Sequence, residues 1–265
     1  IALTFDDGPW PGTTSEILDI LKENDAHATF FEIGNQVAEN ADVVKRIHDE
    51  GNQIATHTWD HASGSGGGVD LTKMSADEQI QEVDKGFKAI EDVLGTSVTR
   101  VMRAPGGNYH ATSSGNIITN LADHVTAEIG WNVDTEDWRR PGAQAIADRI
   151  MSAQPGDVVL MHDGGGDRSQ TVEALKIALP QLKAQGYREV TLLGQNVNVE
   201  PDRDAVLHAL TYSRTIVDAA GKTQEYHVVD FLNGGDGYLS SNGKSYKNSD
   251  INLGDLIVYE NWQKE

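Results

Sequence analysis

The stretch Ile1-Ala2-Leu3-Thr4-Phe5-Asp6-Asp7-Gly8-Pro9 places two adjacent carboxylates directly after a short apolar run. The apolar run predicts a strand, and Gly-Pro predicts that the strand ends there. Because consecutive side chains at the end of a strand point to different sides, Asp6 and Asp7 are expected to face different partners. One carboxylate can then bind a metal while its neighbour acts as a base. The same residues are also compatible with a plain loop, since Asp-Gly-Pro is common in turns.

A histidine pair further along the chain supplies partners for this motif. His57 and His61 are four residues apart, a spacing that predicts one side of a helical turn. Two imidazoles and one carboxylate form a common three-ligand set for a catalytic metal that keeps one position open for water. We therefore expect Asp7, His57 and His61 to hold a divalent metal ion. The alternative for either histidine is a purely structural imidazole.

Three more polar clusters follow short apolar segments. They are Arg103-Ala104-Pro105-Gly106-Gly107, Asp134-Thr135-Glu136-Asp137-Trp138 and Leu160-Met161-His162. The loops that follow the strands of an α/β barrel gather catalytic groups in this way. We therefore expect the three clusters to meet at one end of a barrel.

Taken together and in this order, the five motifs resemble those of the polysaccharide deacetylases, the NodB homology domain of carbohydrate esterase family four. The resemblance covers residues 1–195. It implies an α/β fold, the distorted (β/α)7 barrel of the NodB type, with the catalytic domain over residues 1–198. Residues 199–265 are expected to form a small C-terminal β-rich extension whose role the sequence does not indicate.

Strand-like and helical patterns alternate over the first two thirds of the chain, which predicts a mainly parallel sheet. Beyond the first strand, the strand-like runs are residues 28–33, 53–56, 98–102, 125–133, 158–161 and 190–193. Ser75 and Glu78 predict a capping box at the start of a helix. An open doubly wound sheet would give a similar pattern, so periodicity alone does not close the barrel. In the extension, residues 205–210 predict a helix, and residues 225–232 and 256–259 predict strands.

The resemblance implies how the polar residues share the chemistry of acetyl removal. Asp6 is expected to act as the general base on the attacking water. Arg103 carries a planar fork suited to a carboxylate and is expected to hold Asp6, although a surface arginine is the alternative. The backbone N–H of Gly106 is expected to help stabilise the oxyanion.

The same resemblance assigns the groups around the leaving amine. His162 is expected to protonate that amine as the general acid. Asp137 is the expected partner of His162, and Asp163 is a competing one. Trp138 and Leu160 are expected to line the small apolar pocket for the acetyl group.

The chain departs from the family pattern at two places. Gly106 stands where an aromatic residue is usual, which keeps the backbone donor but removes a ring from the pocket wall. Ala62 stands where proline often follows the second histidine, and residues 64–68 then predict a flexible loop at the rim of the cleft. Both departures affect the shape of loops and leave the reacting groups in place.

Composition narrows the classes of partner. The chain has 265 residues, no cysteine and a formal net charge of −20. This charge argues against binding to nucleic acid or to an anionic membrane surface, and it fits a neutral or cationic ligand. The sequence starts at Ile1, inside the expected first strand, so a signal or anchor is expected upstream. Because the family acts mostly on wall polymers, we expect an extracellular or cell-surface protein, and a monomer.

The leading hypothesis is a metal-dependent hydrolase that removes N-acetyl groups from N-acetylglucosamine units, with peptidoglycan first and chitin-type oligomers second. An O-acetyl esterase on acetylated xylan would use the same site. A different class is an inactive carbohydrate-binding wall module. A metal-dependent phosphatase ranks last, because it usually needs a second metal or more basic residues. The expected cofactor is one divalent metal, with zinc first and cobalt, nickel or manganese as alternatives.

Overall fold

The computed structural model describes residues 1–64, 67–108, 111–112, 115–121, 123–125, 127–154, 157–187 and 191–192, and in the C-terminal part residues 213–217, 223–227, 239–241 and 244–246. The first group of ranges contains the predicted motifs, apart from residues 65 and 66 of the glycine-rich loop. The strands and helices below are those of the described residues.

Short strands form the centre of the fold. They are β1 (Ala2–Asp6), β2 (Ala28–Glu32), β3 (Gln53–Thr56), β4 (Val101–Met102), β5 (Ala111–Thr112), β6 (Gly115–Asn116), β7 (Ala127–Glu128), β8 (Val133–Asp134) and β9 (Val158–His162). Within the described part of the chain, seven of them form one sheet in the order β7-β4-β3-β2-β1-β9-β8. All the pairings in that sheet are parallel. The predicted α/β fold with a parallel sheet is confirmed.

Helices connect most of these strands. They are α1 (Pro11–Asn24), α2 (Gly34–Val37), α3 (Ala41–Asp49), α4 (Ala76–Leu94), α5 (Ile117–Asn120), α6 (Ala143–Met151) and α7 (Ser169–Ala184). The predicted capping box at Ser75 and Glu78 is present at the start of α4. None of the described helices combines the length and the apolar character that a membrane span requires.

The core lies between the sheet and the surrounding helices. Strand residues such as Leu3, Phe5 and Phe30 are fully buried, and the rings of Phe5 and Phe30 stack with their centroids 5.1 Å apart. Ile17 and Leu18 of α1 pack into the same cluster. Because both faces of a parallel sheet are covered, its strands are mostly apolar, and the charged residues of β1 and β2 stand at their ends. The strand ends are thus the places where polar side chains can gather.

The sheet is curled, because its two edge strands are joined by a very short connection. In a flat sheet, six spacings of about 4.8 Å would separate β7 from β8 by about 29 Å. The chain from Glu128 to Val133 can span at most about 18 Å. The two edges therefore approach each other, as in a distorted barrel.

This arrangement corrects one sequence-based prediction. Residues 125–133 are predicted from the sequence to form a single strand, but they contain β7 and the first residue of β8, which lie at opposite edges of the sheet. The carbonyl oxygens of Ile129 and Gly130, between the two strands, accept hydrogen bonds from the side chain of Arg103 at 2.9 and 3.0 Å. Pairing with a buried side chain takes the place of strand pairing, so the strand is interrupted there.

Part of the C-terminal prediction falls outside the described residues. Of the predicted strand at 190–193, residues 191–192 are described, and Leu192 N–H donates to Thr29 Oγ1 at 3.1 Å. In the extension, β10 (Ser213–Val217) pairs with β11 (Thr223–His227), and β12 (Leu239–Ser241) pairs with β13 (Lys244–Tyr246), both antiparallel. The predicted helix at 205–210 and strand at 256–259 lie outside the described residues, as do residues 228–232. The division at residue 198 stays a prediction.

Candidate metal centre and active site

Polar side chains from several strands meet where those strands end. Asp6 is the last residue of β1 and Asp7 follows it, while His57 follows β3, Arg103 follows β4 and His162 ends β9. Asp6 and His162 are register partners on adjacent strands. The parallel sheet thus brings residues that are far apart in sequence to one end of the fold, as the motif positions predict.

Asp7, His57 and His61 form a compact set of potential metal ligands. One ligand atom from each residue lies within 4.8 Å of the other two. Asp7 Oδ1 is 3.5 Å from His57 Nε2 and 3.2 Å from His61 Nε2. This oxygen is buried and has no hydrogen-bond partner among the described residues. A carboxylate oxygen that faces two imidazole nitrogens in this way fits a divalent cation.

The second nitrogen of each imidazole is already engaged. His57 Nδ1 donates to the carbonyl oxygen of Arg103 at 2.8 Å. Since a carbonyl can only accept, His57 carries its proton on Nδ1 and presents a lone pair at Nε2. His61 Nδ1 lies 3.1 Å from Ser63 Oγ. Both imidazoles are thus oriented to bind a metal through Nε2.

The charge states of these groups also suit a metal. Burial lowers the pKa of His57 even though the carboxylates of Asp6 and Asp7 oppose the shift, so its imidazole is neutral. Burial would raise the pKa of Asp7, but interactions with His61, His57 and His162 lower it below the ordinary value. The set therefore offers a carboxylate and a neutral imidazole, which are the ligand forms that zinc takes.

The histidine pair is not on a helical turn, so that prediction is wrong. Residues 57–62 have no helical assignment, and Thr58 and His61 adopt left-handed φ values of 68° and 59°. Ala62 N–H donates to Thr58 Oγ1 at 3.0 Å, which closes a tight bend and brings the two rings to 5.2 Å between centroids. Left-handed backbone at residues other than glycine is costly and concentrates at functional sites.

The glycine-rich loop folds back on this bend. Gly64 N–H donates to the carbonyl oxygen of Gly68, and Gly68 N–H donates to that of Asp60, both at 2.9 Å. A Cβ on Gly67 would lie 2.3 Å from the carbonyl oxygen of His61. The described residues of the loop therefore pack against the histidine motif, and Gly67 has to be glycine because the two backbone segments approach so closely.

The buried side chain of Arg103 forms an ion pair with Asp6. Its Nη1 lies 2.7 Å from Asp6 Oδ1 and donates to Thr4 Oγ1 at 2.8 Å. The side chain is fully buried, and its guanidinium carbon lies 4.2 Å from the centre of the Phe31 ring. Together with its bonds to the 129–130 backbone, the guanidinium has a partner on each of its nitrogens. The surface alternative for Arg103 does not fit this position.

His162 is paired with Asp137, and not with Asp163. His162 Nδ1 lies 2.7 Å from Asp137 Oδ1, and Thr171 Oγ1 donates to Asp137 Oδ2 at 2.8 Å. Burial opposes a charged imidazole, but the bond to Asp137 and the charges of Asp137, Asp6 and Asp7 raise the pKa of His162 to about 9. His162 thus carries a proton at neutral pH, as a general acid requires.

Asp163 belongs to a second buried pair of carboxyl groups, which the sequence did not indicate. Glu32 and Asp163 are both fully buried, and Asp163 Oδ2 accepts from Thr14 Oγ1 at 2.6 Å. Asp163 Oδ2 and Glu32 Oε2 lie 2.3 and 2.7 Å from the same point, the position that a Cβ on Gly8 would occupy. Burial and the neighbouring carboxylates raise the pKa of Glu32 well above its ordinary value. Gly8 has to be glycine because this pair fills the space beside it.

The remaining predicted residues are Gly106, Leu160 and Trp138, which are close in sequence to residues of this centre. Gly106 has φ 65° in a short 3₁₀ turn, Pro105–Gly107, whose backbone bonds run from Gly107 N–H to Ala104 and from Asn108 N–H to Pro105. Leu160 is buried on β9, two residues before His162 and hence on the same side of the strand. Trp138 is 48% exposed. Their roles in catalysis stay predictions.

Two residues that support the site were not predicted from the sequence. Thr4 donates to the carbonyl oxygen of Val159 at 2.7 Å and accepts from Arg103, so it ties β1 to β9 beneath Asp6. Its position two residues before Asp6, on the same face of the strand, was an available signal. Thr171 lies in the first turn of α7, and nothing in the local sequence marks it as a partner of Asp137.

Comparison with known proteins identifies the family. The polysaccharide deacetylase family profile matches residues 1–121. Over 194 residues the chain is 40% identical to a peptidoglycan-N-acetylglucosamine deacetylase of Bacillus cereus, covering 72% of this chain and 85% of that protein. It is 35% identical to a chitooligosaccharide deacetylase of Bradyrhizobium sp. over 199 residues, covering 71% of this chain and 86% of the relative.

A solved structure agrees with this assignment. The peptidoglycan deacetylase PdaC of Bacillus subtilis superimposes with a TM-score of 0.62 at 33% identity, covering 72% of this chain and 86% of PdaC. The chain belongs to the polysaccharide deacetylase family, carbohydrate esterase family four, and is a hydrolase of that class.

Proposed function

We propose that the protein is a zinc-dependent N-deacetylase that acts on N-acetylglucosamine units of peptidoglycan and releases acetate. The observation that carries this proposal is the placement of a base and an acid around one ligand set. Asp6 and His162 are register partners on β1 and β9, and Asp7, His57 and His61 lie beside them. Metal-assisted hydrolysis of an amide uses all three elements.

The ligand set would hold the metal through Asp7 Oδ1 and the Nε2 atoms of His57 and His61. A divalent cation there supplies Lewis acidity, which lowers the pKa of a bound water and polarises the acyl carbonyl. The carboxylate of Asp7 and the neutral imidazole of His57 are the protein's contribution to that site.

Asp6 is the general base in this scheme. Its Oδ1 is engaged by Arg103 at 2.7 Å, and its Oδ2 lies 3.8 Å from His57 Nε2. Oδ2 is therefore the oxygen that faces the ligand set and takes the proton of the attacking water. Arg103 keeps the carboxylate in one orientation, and Thr4 in turn fixes Arg103.

His162 donates the proton that the leaving group needs. Its Nδ1 is held by Asp137, so Nε2 is the atom from which the proton leaves. An amine leaves far less readily than an alkoxide unless it is protonated. A general acid that is held in its protonated form therefore matters most for the hydrolysis of amides. The His162–Asp137–Thr171 chain therefore favours N-deacetylation over the O-acetyl esterase alternative.

The substrate assignment follows the relatives. The Bacillus cereus relative acts on peptidoglycan N-acetylglucosamine and the Bradyrhizobium relative on chitooligosaccharides. We place peptidoglycan first and chitin-type oligomers second, both neutral at the sugar that reacts. The acidic balance of the chain is compatible with such ligands and with the cationic amine that is formed. An extracellular or cell-surface location, where such polymers occur, completes the proposal.

The test is acetate release by the zinc-loaded protein from three acetylated substrates and one deacetylated control. The panel is peptidoglycan, N-acetylglucosamine tetramer, acetylated xylan and, as a control, peptidoglycan that was chemically deacetylated beforehand. Asp6→Asn serves as the matched inactive variant. The proposal expects release from peptidoglycan at a higher kcat/KM than from the tetramer, and about 100-fold or greater loss in Asp6→Asn.

Three other outcomes are possible, and each would change the proposed function in a different way. Faster release from the tetramer than from peptidoglycan would move the substrate to chitin-type oligomers. Release from xylan alone would replace the N-deacetylase by an esterase. No release from any substrate with zinc bound would reject the proposal and favour an inactive carbohydrate-binding module.

A further inference from the structure

The loop that carries Asp137 has a strained backbone. Glu136 and Arg140 flank the 3₁₀ turn Asp137–Arg139, and both are left-handed, with φ values of 50° and 54°. Neither residue is glycine, so this conformation costs free energy and persists only where the surroundings enforce it. The turn places the carboxylate of Asp137 on His162. The contacts that enforce the backbone here therefore also fix the partner of the proposed general acid.

Arg149 of α6 reaches this loop with both arms of its guanidinium. Its Nη1 donates to the carbonyl oxygen of Thr135 at 2.6 Å, and its Nη2 lies 2.8 Å from Oε2 of Glu136. The two contacts fall on successive residues, directly before Asp137. A planar fork can make both contacts at once, which the single ammonium group of a lysine does less well. Arg149 therefore holds the backbone and the side chain of the segment that enters the turn.

The carboxylate of Glu136 is held on both of its oxygens. While Oε2 faces Arg149, Oε1 lies 3.1 Å from Nη1 of Arg139. The backbone N–H of Glu136 donates to Oδ1 of Asp134 at 2.8 Å. Glu136 is thus fixed through its side chain and its backbone in the left-handed conformation that the turn requires.

The helix that carries Arg149 is anchored in the core. Ile146, Ala147 and Ile150 of α6 are fully buried and belong to the main hydrophobic cluster. Arg149 lies between these residues in sequence, with its guanidinium pointing to the loop. The loop is therefore tied to a rigid element and not only to itself.

The other side of the loop is tied to β9. Thr135 is buried, and its Oγ1 donates to the carbonyl oxygen of Leu160 at 2.8 Å. Asp137 also accepts from the backbone N–H of His162 through Oδ2 at 2.9 Å. The segment before Asp137 is thus held between α6 and the strand that carries His162.

We propose that Arg149 is a positioning residue for the proposed general acid, because it holds residues 135 and 136 so that Asp137 stays on Nδ1 of His162. Its printed contacts are with the loop, and it acts through Asp137. An ion pair with this much exposure contributes little to stability, so the effect of Arg149 is expected in function and not in folding. This inference rests on the proposed function, because it takes His162 to be the acid.

The direction of a pKa change separates positioning from simple charge. The charged groups that raise the pKa of His162 are Asp137, Asp6 and Asp7. Removal of a cation such as Arg149, taken alone, would favour the protonated imidazole and raise this pKa further. A less well held Asp137 would lower it. A lowered pKa of His162 after loss of Arg149 therefore has to come through Asp137.

The first test compares Arg149→Met with Arg100→Met. Methionine keeps an aliphatic stem and removes the guanidinium in both variants. Arg100 is a matched control, because its side chain is 40% exposed against 38% for Arg149, and it pairs with Glu91 at 3.3 Å. Arg100→Met should match the wild type.

In Arg149→Met we expect kcat on the N-acetylglucosamine tetramer to fall about tenfold, while KM and zinc affinity stay within about threefold. The alkaline limb of kcat should move toward neutrality, because His162 loses its proton at lower pH. Arg149→Lys should recover part of kcat, since it keeps a positive charge near Glu136. A fall in zinc affinity as large as the fall in kcat would overturn the proposal, because it would show that Arg149 supports the whole site.

Failure of the proposed function is separated by a measurement that does not need turnover. The imidazole of His162 is titrated by NMR in the zinc-loaded protein, and its signal is assigned by its absence in His162→Gln. A lower pKa in Arg149→Met than in the wild type and Arg100→Met supports the positioning role even if the wild type releases no acetate. An unchanged or raised pKa of His162 in folded Arg149→Met would reject it.

Discussion

The carbonyl oxygen of Arg103 accepts a hydrogen bond from Nδ1 of His57 at 2.8 Å. The same residue pairs with Asp6 through its guanidinium at 2.7 Å. One residue therefore orients the proposed metal ligand His57 through its backbone and the proposed general base Asp6 through its side chain. These two roles can be separated by mutation, because a substitution keeps the carbonyl and changes only the side chain.

The variant Arg103→Lys should lose activity while it keeps its metal. Lysine retains a positive charge near Asp6 but lacks the fork that reaches Thr4 and the backbone of residues 129–130 at the same time. We expect kcat to fall about 100-fold or more and zinc affinity, measured by competition with a chelator, to change by less than about threefold. A large loss of zinc affinity with a folded protein would show that the side chain, and not the carbonyl, positions His57.

The ligand assignment predicts a graded response of zinc affinity. His57→Ala removes a ligand, whereas Ser63→Ala removes only the hydroxyl that lies 3.1 Å from Nδ1 of His61. Loss of an outer partner typically costs about 10–100-fold in metal affinity, and loss of a ligand should cost more. Competition titrations on both variants check this order. Wild-type affinity in His57→Ala would reject His57 as a ligand.

The Asp137–His162 pair predicts a shift of the pH profile. The bond to Asp137 contributes to the pKa of about 9 that keeps His162 protonated. In Asp137→Asn that contribution is lost, so His162 should lose its proton at lower pH and the alkaline limb of kcat should move toward neutrality. Profiles from pH 6 to pH 10 on zinc-loaded wild type and variant measure the shift. An alkaline limb at the same pH in both proteins would exclude His162 as the acid that the profile reports.

The buried Glu32 predicts how stability depends on pH. Its pKa is raised in the folded protein, so the folded state retains a proton that the unfolded chain releases near pH 4.5. Stability is therefore lost as pH rises from that value toward the raised folded pKa. Glu32→Gln should remove this loss, and its Tm should exceed that of the wild type by a margin that grows from pH 5 to pH 8. For a chain of this size, each kcal/mol corresponds to about 2–4 °C.

Calorimetric scans on Glu32→Gln, the wild type and Glu16→Gln, all in the same metal state, test this. Glu16 is an exposed residue of α1, so its variant controls for the general effect of removing one carboxylate. A Tm difference between Glu32→Gln and the wild type that is constant or shrinks with rising pH would contradict the raised pKa of Glu32 in the folded protein.

The sequence predicted the parts of this molecule that depend on local patterns. Strands ending in polar motifs are recognisable because the change from apolar to polar residues lies within each segment, as at Thr4–Asp7. The capping box of α4 is local in the same sense. Parallel strands then bring their ends together, so the meeting of Asp6, His57, Arg103 and His162 follows from the order of the elements.

The features that the sequence predicted wrongly, or did not predict, depend on contacts between residues that are far apart in the chain. Residues 125–133 look like one strand, because nothing in them indicates that Arg103 captures the carbonyl oxygens of residues 129 and 130. The spacing of His57 and His61 fits a helix, but the left-handed backbone of Thr58 and His61 decides the bend. The choice of Asp137 over Asp163 as the partner of His162 depends on Thr14 and Thr171, which lie in two different helices.

The most direct test of the account is a zinc titration of the chelator-treated protein, with acetate release from N-acetylglucosamine tetramer as the readout. We predict no release without metal, a rise that saturates at one zinc per chain, and one zinc bound without release in Asp6→Asn. Full acetate release by the metal-free protein would contradict the account. Acetate release by an Asp7→Ala variant that saturates at one zinc per chain would also contradict it.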